Sequence, residues 1–139
     1  MKRVFIAVVS VMFVCGLSIN ASQALPPFKK AFKEKYVDSG PESLKADFKK
    51  ASCNACHIKG EKKTKRNSYG EELDKLIEGN AKKRLADAKD AGNQAEEKVK
   101  IIKELEKAME EVEKKKPADD QPTYGEQLKD GQLPVPLKS

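Results

Sequence analysis

The residues of this chain best suited to chemistry stand together as Cys53-Asn54-Ala55-Cys56-His57, and His57 is the single histidine of the 139 residues. C-x-x-C-H is the spacing by which a c-type haem is attached. Each thiol adds across one vinyl group of a porphyrin, and two intervening residues let one turn of chain reach both vinyl positions. The next residue is carried over the porphyrin face, where one imidazole nitrogen binds iron while the other donates to a carbonyl or water that fixes the ring. Cys53 and Cys56 are therefore read as the thioether anchors of one covalent haem c, and His57 as the proximal iron ligand.

Other uses of two cysteines fit less well. A dithiol redox site needs a thioredoxin-like strand-helix context, and no such pattern surrounds the motif. A structural zinc site needs four ligands, and a carboxylate would have to complete an atypical set. A disulfide between Cys53 and Cys56 is sterically awkward as a structural staple, although an exported protein can form one.

The N-terminus bears on the compartment. Residues 1–24 combine Lys2 and Arg3, an apolar run from Val4 to Leu17, and the small-x-small site Ser22-Gln23-Ala24. This is the layout of a cleaved secretory signal, which predicts export to the periplasm or an equivalent extracytoplasmic compartment. The run is shorter than the ~20 residues of a membrane span, so no stable span is expected after cleavage. Bulky Met12-Phe13-Val14 before Cys15 argues against a lipid-acceptor cysteine.

Cleavage leaves one domain over residues 25–139, and it removes Lys2 and Arg3 from the 28 basic residues that face 22 acidic ones. A remaining excess of basic groups this small in an exported chain does not suggest a nucleic-acid partner. With 36% charged and 6% aromatic residues and no Trp, the chain has little apolar mass for a core. A buried porphyrin would supply what is missing. Cleavage also removes Cys15, Met1 and Met12, so Met109 is the sole remaining thioether and the candidate distal ligand by elimination. The competing assignment makes Met109 one apolar tooth of a helix, a place methionine commonly fills.

Breakers and apolar spacing predict an all-α fold, a small helical domain packed around the haem. Pro26-Pro27 opens a segment with Phe28, Phe32 and Tyr36 on one face. A second helix from about Glu42 has Leu44, Phe48 and Ala51 inward and delivers Cys53 at its end. Ser68 with Glu71 reads as a capping box for a helix carrying Tyr69, Leu73, Leu76 and Ile77, with Gly79 as its stop. Helix continues from Ala81, breaks near Ala91-Gly92-Asn93, and resumes as a long charged helix over about 94–116 with Val99, Ile102, Leu105, Met109 and Val112 on one stripe. Its solvent side offers Glu96 with Lys100, Glu110 with Lys114 and Glu111 with Lys115 as i,i+4 pairs.

Thr123 with Glu126 forms a second capping box, and Ser68-Tyr69-Gly70-Glu71-Glu72-Leu73 recurs as Thr123-Tyr124-Gly125-Glu126-Gln127-Leu128. Each copy is expected to start a short helix with its tyrosine first. Tyr69 and Tyr124 are candidates to pack against the haem or bond a propionate. Residues 131–139 read as an extended tail.

At its motif the chain resembles the small, exported mono-haem c-type cytochromes of bacteria, broadly the class I type. The resemblance is specific at Cys53, Cys56 and His57 and weaker across Phe28 to Leu76. It implies an electron carrier, not an enzyme, passing single electrons between exported redox proteins. Two departures stand out. Class I chains place a proline soon after the motif, whose carbonyl orients the imidazole, and none occurs here between Pro41 and Pro117. They also present the distal methionine from a loop, whereas Met109 falls in a predicted helix.

The basic run Lys59, Lys62, Lys63, Lys65 and Arg66 reads as an exposed loop near the haem that steers acidic redox partners. Two alternatives stand beside the carrier. With an empty or labile distal site the protein becomes a ligand sensor or weak peroxidase. Without haem it is an exported helical protein that binds a partner through its long charged helix.

Overall fold

The computed structural model describes residues 26–134. The secretory-signal assignment over 1–24 and the end of the tail, 135–139, lie outside the described residues. Pro26–Phe32 forms α1, which passes into a π-helical turn at Lys33–Val37. Next come α2 at Glu42–Ala51, a 3-10 turn at Ser52–Ala55, α3 at Ser68–Leu76 and α4 at Ala81–Asp90. The long helix α5 covers Gln94–Glu113, and the short α6 covers Tyr124–Lys129. The all-α expectation holds, and the described residues contain no strand beyond an isolated bridge between His57 and Arg66.

Helix α5 is the axis of the molecule, with α1, α3, α4 and α6 all packed against it. Its buried face is Ile101, Leu105, Ala108, Met109 and Val112. This corrects the expected stripe at its first two positions, since Val99 is 53% exposed and Ile101, not Ile102, faces inward. The helix also stops at Glu113, short of residue 116. Buried aliphatic and aromatic side chains each contribute about 1.5–3 kcal/mol. Exposed ion pairs contribute about 0–1 kcal/mol. The apolar face therefore sets the rotation of α5, and the charges adjust to it. None of the three expected i,i+4 pairs forms: Lys100 pairs with Glu97, Lys114 with Glu111, Lys115 with Glu72 on α3, and Glu110 with Lys35.

All six aromatic residues of the described chain join one core. Phe32 is its hub, stacked on Phe48 at 5.5 Å and edge-on to Tyr36 and Tyr69 at 5.1 and 5.9 Å. Helix α2 matches its expected inner side, with Leu44, Phe48 and Ala51 buried. The tail is not free at its start, because Leu133 is buried in the same core.

Helix α4 buries only Ala88. Its tie to α5 is the half-buried Arg84 guanidinium, which donates to both oxygens of Glu104 at 2.7 and 2.8 Å, to Glu97 at 2.7 Å and to the Glu78 carbonyl at 2.7 Å. Such a fork is stronger than an ordinary surface pair. Glu104 is held below the usual carboxylate range by Arg84. The break between α4 and α5 falls where expected, at Gly92 with φ +76°.

Candidate functional site

The first link between helix α2 and the C-x-x-C-H residues is Ser52. Its φ of 51° with ψ of −114° is rare for a residue with a side chain. Such a conformation costs about 1–3 kcal/mol and persists only where its surroundings impose it. Ser52 turns the chain out of α2 so that Cys53 enters a cleft. The N–H groups of Cys56 and His57 then both donate to the Cys53 carbonyl, at 3.3 and 3.2 Å.

The cleft has a volume of about 460 Å³, a size typical of ligand sites. Cys53, Cys56 and His57 line one side of it. Its apolar walls come from Phe28 and Phe32 of α1, Phe48 of α2, Leu73 of α3, and Leu105 and Met109 of α5. Lys63 and Arg66 from the loop, and Asn80 and Lys82 at the start of α4, add polar and cationic groups. Met109 is fully buried and lines this cleft while belonging to the core of α5. The apolar tooth expected of the helix is thus also part of the cleft wall.

His57 is held by a carbonyl despite the missing proline. Its Nδ1 lies 3.3 Å from the Lys65 carbonyl oxygen. With the proton on Nδ1, that bond leaves Nε2 with a bare lone pair for a metal. Burial lowers the His57 pKa; the Lys65 carbonyl opposes this, and the charges of Lys63 and Arg66 reinforce it. The neutral imidazole, the form that ligates metals, is thereby favoured.

Cys53 and Cys56 are free thiols. Burial, aided by Cys53, pushes the Cys56 thiol up to about 12 against the opposing charge of Arg66. Redox-active dithiols carry a lowered thiol pKa, so this environment does not suit thiol exchange. Among the described residues no group of three or more His, Cys, Asp and Glu side chains gathers where it would hold a metal ion. A four-ligand zinc site therefore lacks its ligands here.

Sequence reasoning missed the residues that hold the motif. The N-cap of α3 is Asn67, not Ser68: the Asn67 Oδ1 accepts from Gly70 N–H at 2.9 Å, and the expected Ser68–Glu71 capping box does not form. Asn67 Nδ2 donates to the carbonyls of Asn54 and Ala55 at 3.2 and 3.1 Å, and Asn67 N–H to that of Cys56 at 3.1 Å. Gly70 sits so close that a Cβ there would lie 2.1 Å from the Cys56 carbonyl oxygen. The available signal was an asparagine, itself a strong cap former, directly before the serine.

The loop after the motif is less exposed than its composition suggested. Lys63 and Arg66 are half-buried, Lys63 donating to Asn54 at 3.2 Å and Arg66 pairing with Asp74 at 2.8 Å. Lys59, Lys62 and Lys65 are exposed, as expected, and Ile58 beside them is 43% exposed.

Tyr69 and Tyr124 do not line the cleft. They meet edge to face at 5.2 Å, fully buried. The Tyr69 hydroxyl is buried beside Tyr36 without making a hydrogen bond of normal geometry, and burial raises its pKa well above the ordinary phenol value. Of the apolar residues expected on this helix, Leu73 is buried, Leu76 is 42% exposed, and Ile77 follows the last turn as its C-cap.

Known protein families, characterised proteins and solved structures provide no match for this chain.

Proposed function

We propose that this chain is an exported, mono-haem c-type cytochrome that carries single electrons between larger redox proteins. The observation that carries the reading is that one apolar cleft is lined by both thiols of the C-x-x-C-H motif, by its histidine and by Met109. A haem bound there would supply an iron centre that gains and loses one electron. Cys53 and Cys56 would hold the porphyrin, and His57 would offer Nε2 to the iron while the Lys65 carbonyl holds its other nitrogen. Phe28, Phe32, Phe48, Leu73 and Leu105 would exclude water from the porphyrin. Lys63, Arg66 and Lys82 suit the cofactor's carboxylates. Met109 is the candidate distal ligand, whose thioether would raise the potential.

Export rests on the secretory layout of residues 1–24. No helix among the described residues is long and apolar enough to cross a membrane. Exposed Lys59, Lys62 and Lys65 beside the motif suit an acidic partner, for which association slows steeply as salt rises.

The test is the absorption spectrum of purified protein made alongside a haem-attachment system, oxidised and reduced. The carrier predicts a coloured protein that keeps its haem after denaturation. It also predicts that Met109→Ala abolishes the red methionine-to-ferric-iron band and lowers the potential. A colourless product overturns the reading in favour of a haem-free helical interaction protein.

One observation favours a second reading. Met109 is fully buried inside the 20-residue helix α5, so packing and not a mobile loop sets its reach. If iron and thioether do not meet, the distal side is open, and the protein acts as a ligand sensor or weak peroxidase. Carbon monoxide binding to the reduced protein separates this from the carrier.

A further inference from the structure

The structure assigns to Asn67 a positioning role: it clamps the attachment loop into its working shape before any haem arrives, so that both thiols face the cleft together and His57 keeps one orientation. This rests on the haem reading for its purpose, while the clamp itself is a property of the polypeptide.

The argument is an accounting of hydrogen bonds. The 3-10 turn that carries Cys53 is short, and such turns are poorly bonded on their own. Three successive carbonyls of the motif, those of Asn54, Ala55 and Cys56, point at one residue. Asn67 meets all three, the first two with its side-chain amide at 3.2 and 3.1 Å and the third with its backbone N–H at 3.1 Å. Its side-chain oxygen is simultaneously committed to Gly70 N–H at 2.9 Å. Asn67 is buried, so each of these bonds would leave an unsatisfied group if broken. Only a primary amide can do this work at this site, because it offers two N–H donors and an acceptor on one short side chain. A carboxylate keeps the acceptor and loses the donors; serine offers a single donor and a shorter reach.

The clamp joins the motif to a rigid element. Gly70 packs its backbone against the Cys56 carbonyl, where a Cβ has no room. The loop that leaves the motif returns through the His57–Arg66 bridge and delivers the Lys65 carbonyl to His57. Arg66 and Asn67 are adjacent, so fixing Asn67 also fixes the chain that holds the imidazole. Strain at Ser52 on the other side of the motif is tolerated because this second attachment holds the loop in place.

Asn67→Asp is the decisive variant, since it preserves the helix cap and removes both amide donors. The first measurement is amide hydrogen exchange in the haem-free protein at Cys56, His57 and position 67, with α5 amides as the reference for global stability. Loss of the two side-chain hydrogen bonds predicts loop exchange faster by about tenfold or more relative to α5. The second is the mass of protein made with a haem-attachment system, where the variant should show chains with a single thioether bond that the parent lacks, and a shifted midpoint potential. Thr123→Ala, which removes the side-chain cap of α6, should change none of these loop signals. Unchanged loop exchange in Asn67→Asp overturns the clamp, whatever the haem result. A parent protein that takes up no haem while Asn67→Asp still loosens the loop overturns the haem reading and leaves the clamp standing.

Discussion

The two Tyr-Gly-Glu helix starts share a sequence pattern and differ in what they hold. At α6 the cap is self-contained: Glu126 N–H donates to Thr123 Oγ1 at 3.2 Å, and Glu126 Oε2 accepts from Thr123 N–H at 2.7 Å. At α3 the cap lies one residue earlier, at Asn67, which also bonds the C-x-x-C-H loop. The glycines differ in the same way. A Cβ on Gly125 would lie 3.0 Å from the Glu113 carbonyl oxygen, whereas one on Gly70 would lie 2.1 Å from that of Cys56. One start closes the fold and the other supports the site. Their tyrosines meet in the middle, so each ring wedges the other's helix into the core. The same local chemistry thus serves two ends, and the neighbour decides which.

The glycines give the largest contrast. Gly70→Ala forces the helix off the motif and is expected to cost about 3 kcal/mol. Gly125→Ala needs only a small adjustment, partly offset by the better helix propensity of alanine, and should cost about 1 kcal/mol or less. Urea unfolding of the two variants measures the gap, and equal costs would break the distinction.

The caps come next. Asn67→Ala loses the cap and strands two motif carbonyls, for an expected cost of about 2–4 kcal/mol. Thr123→Ala loses a cap alone, at about 1 kcal/mol. Thermal unfolding of both variants orders them.

The tyrosine hydroxyls should respond in the unusual direction. Tyr69→Phe deletes a buried hydroxyl that makes no hydrogen bond of normal geometry, which is expected to be neutral or to stabilise by about 1 kcal/mol. A clear loss of stability would mean that this hydroxyl is bonded in solution.

The smallest effect is a dependence on pH at α6. Hydrogen bonds from the Thr123 N–H and hydroxyl hold the exposed Glu126 carboxyl below its usual range. A depressed folded pKa stabilises above the unfolded value, and that stability is lost as pH falls through the folded value. Local amide exchange at Glu126 should therefore accelerate in acid, below the ordinary carboxylate range. Exchange at Gly70, capped by an amide that does not titrate, should show no matching step.

Much of the fold was legible in the chain. Helix α2 reads with its three inward residues correct, and the break at Gly92 and the capping box at Thr123 are local chemistry that local sequence specifies. The errors on α5 have a common cause. Val99 and Ile101 are both apolar, and only contact with neighbouring helices decides which of two overlapping stripes turns inward. Two of the three expected i,i+4 pairs failed for the same reason, since Lys115 and Glu110 each found a partner on another element, while Lys100 turned to Glu97 of its own helix.

The C-x-x-C-H spacing, the single histidine, the basic and apolar pattern of residues 1–24 and Met109 as the sole methionine after residue 24 are properties of the sequence alone, because covalent reach and composition need no fold. That these groups line one apolar cleft, that Lys65 supplies the carbonyl expected of a proline, and that Asn67 holds the motif were decided by tertiary structure. The cleft gathers side chains from separate helices, while Lys65 and Asn67 act through backbone carbonyls, which leave no signature in the sequence.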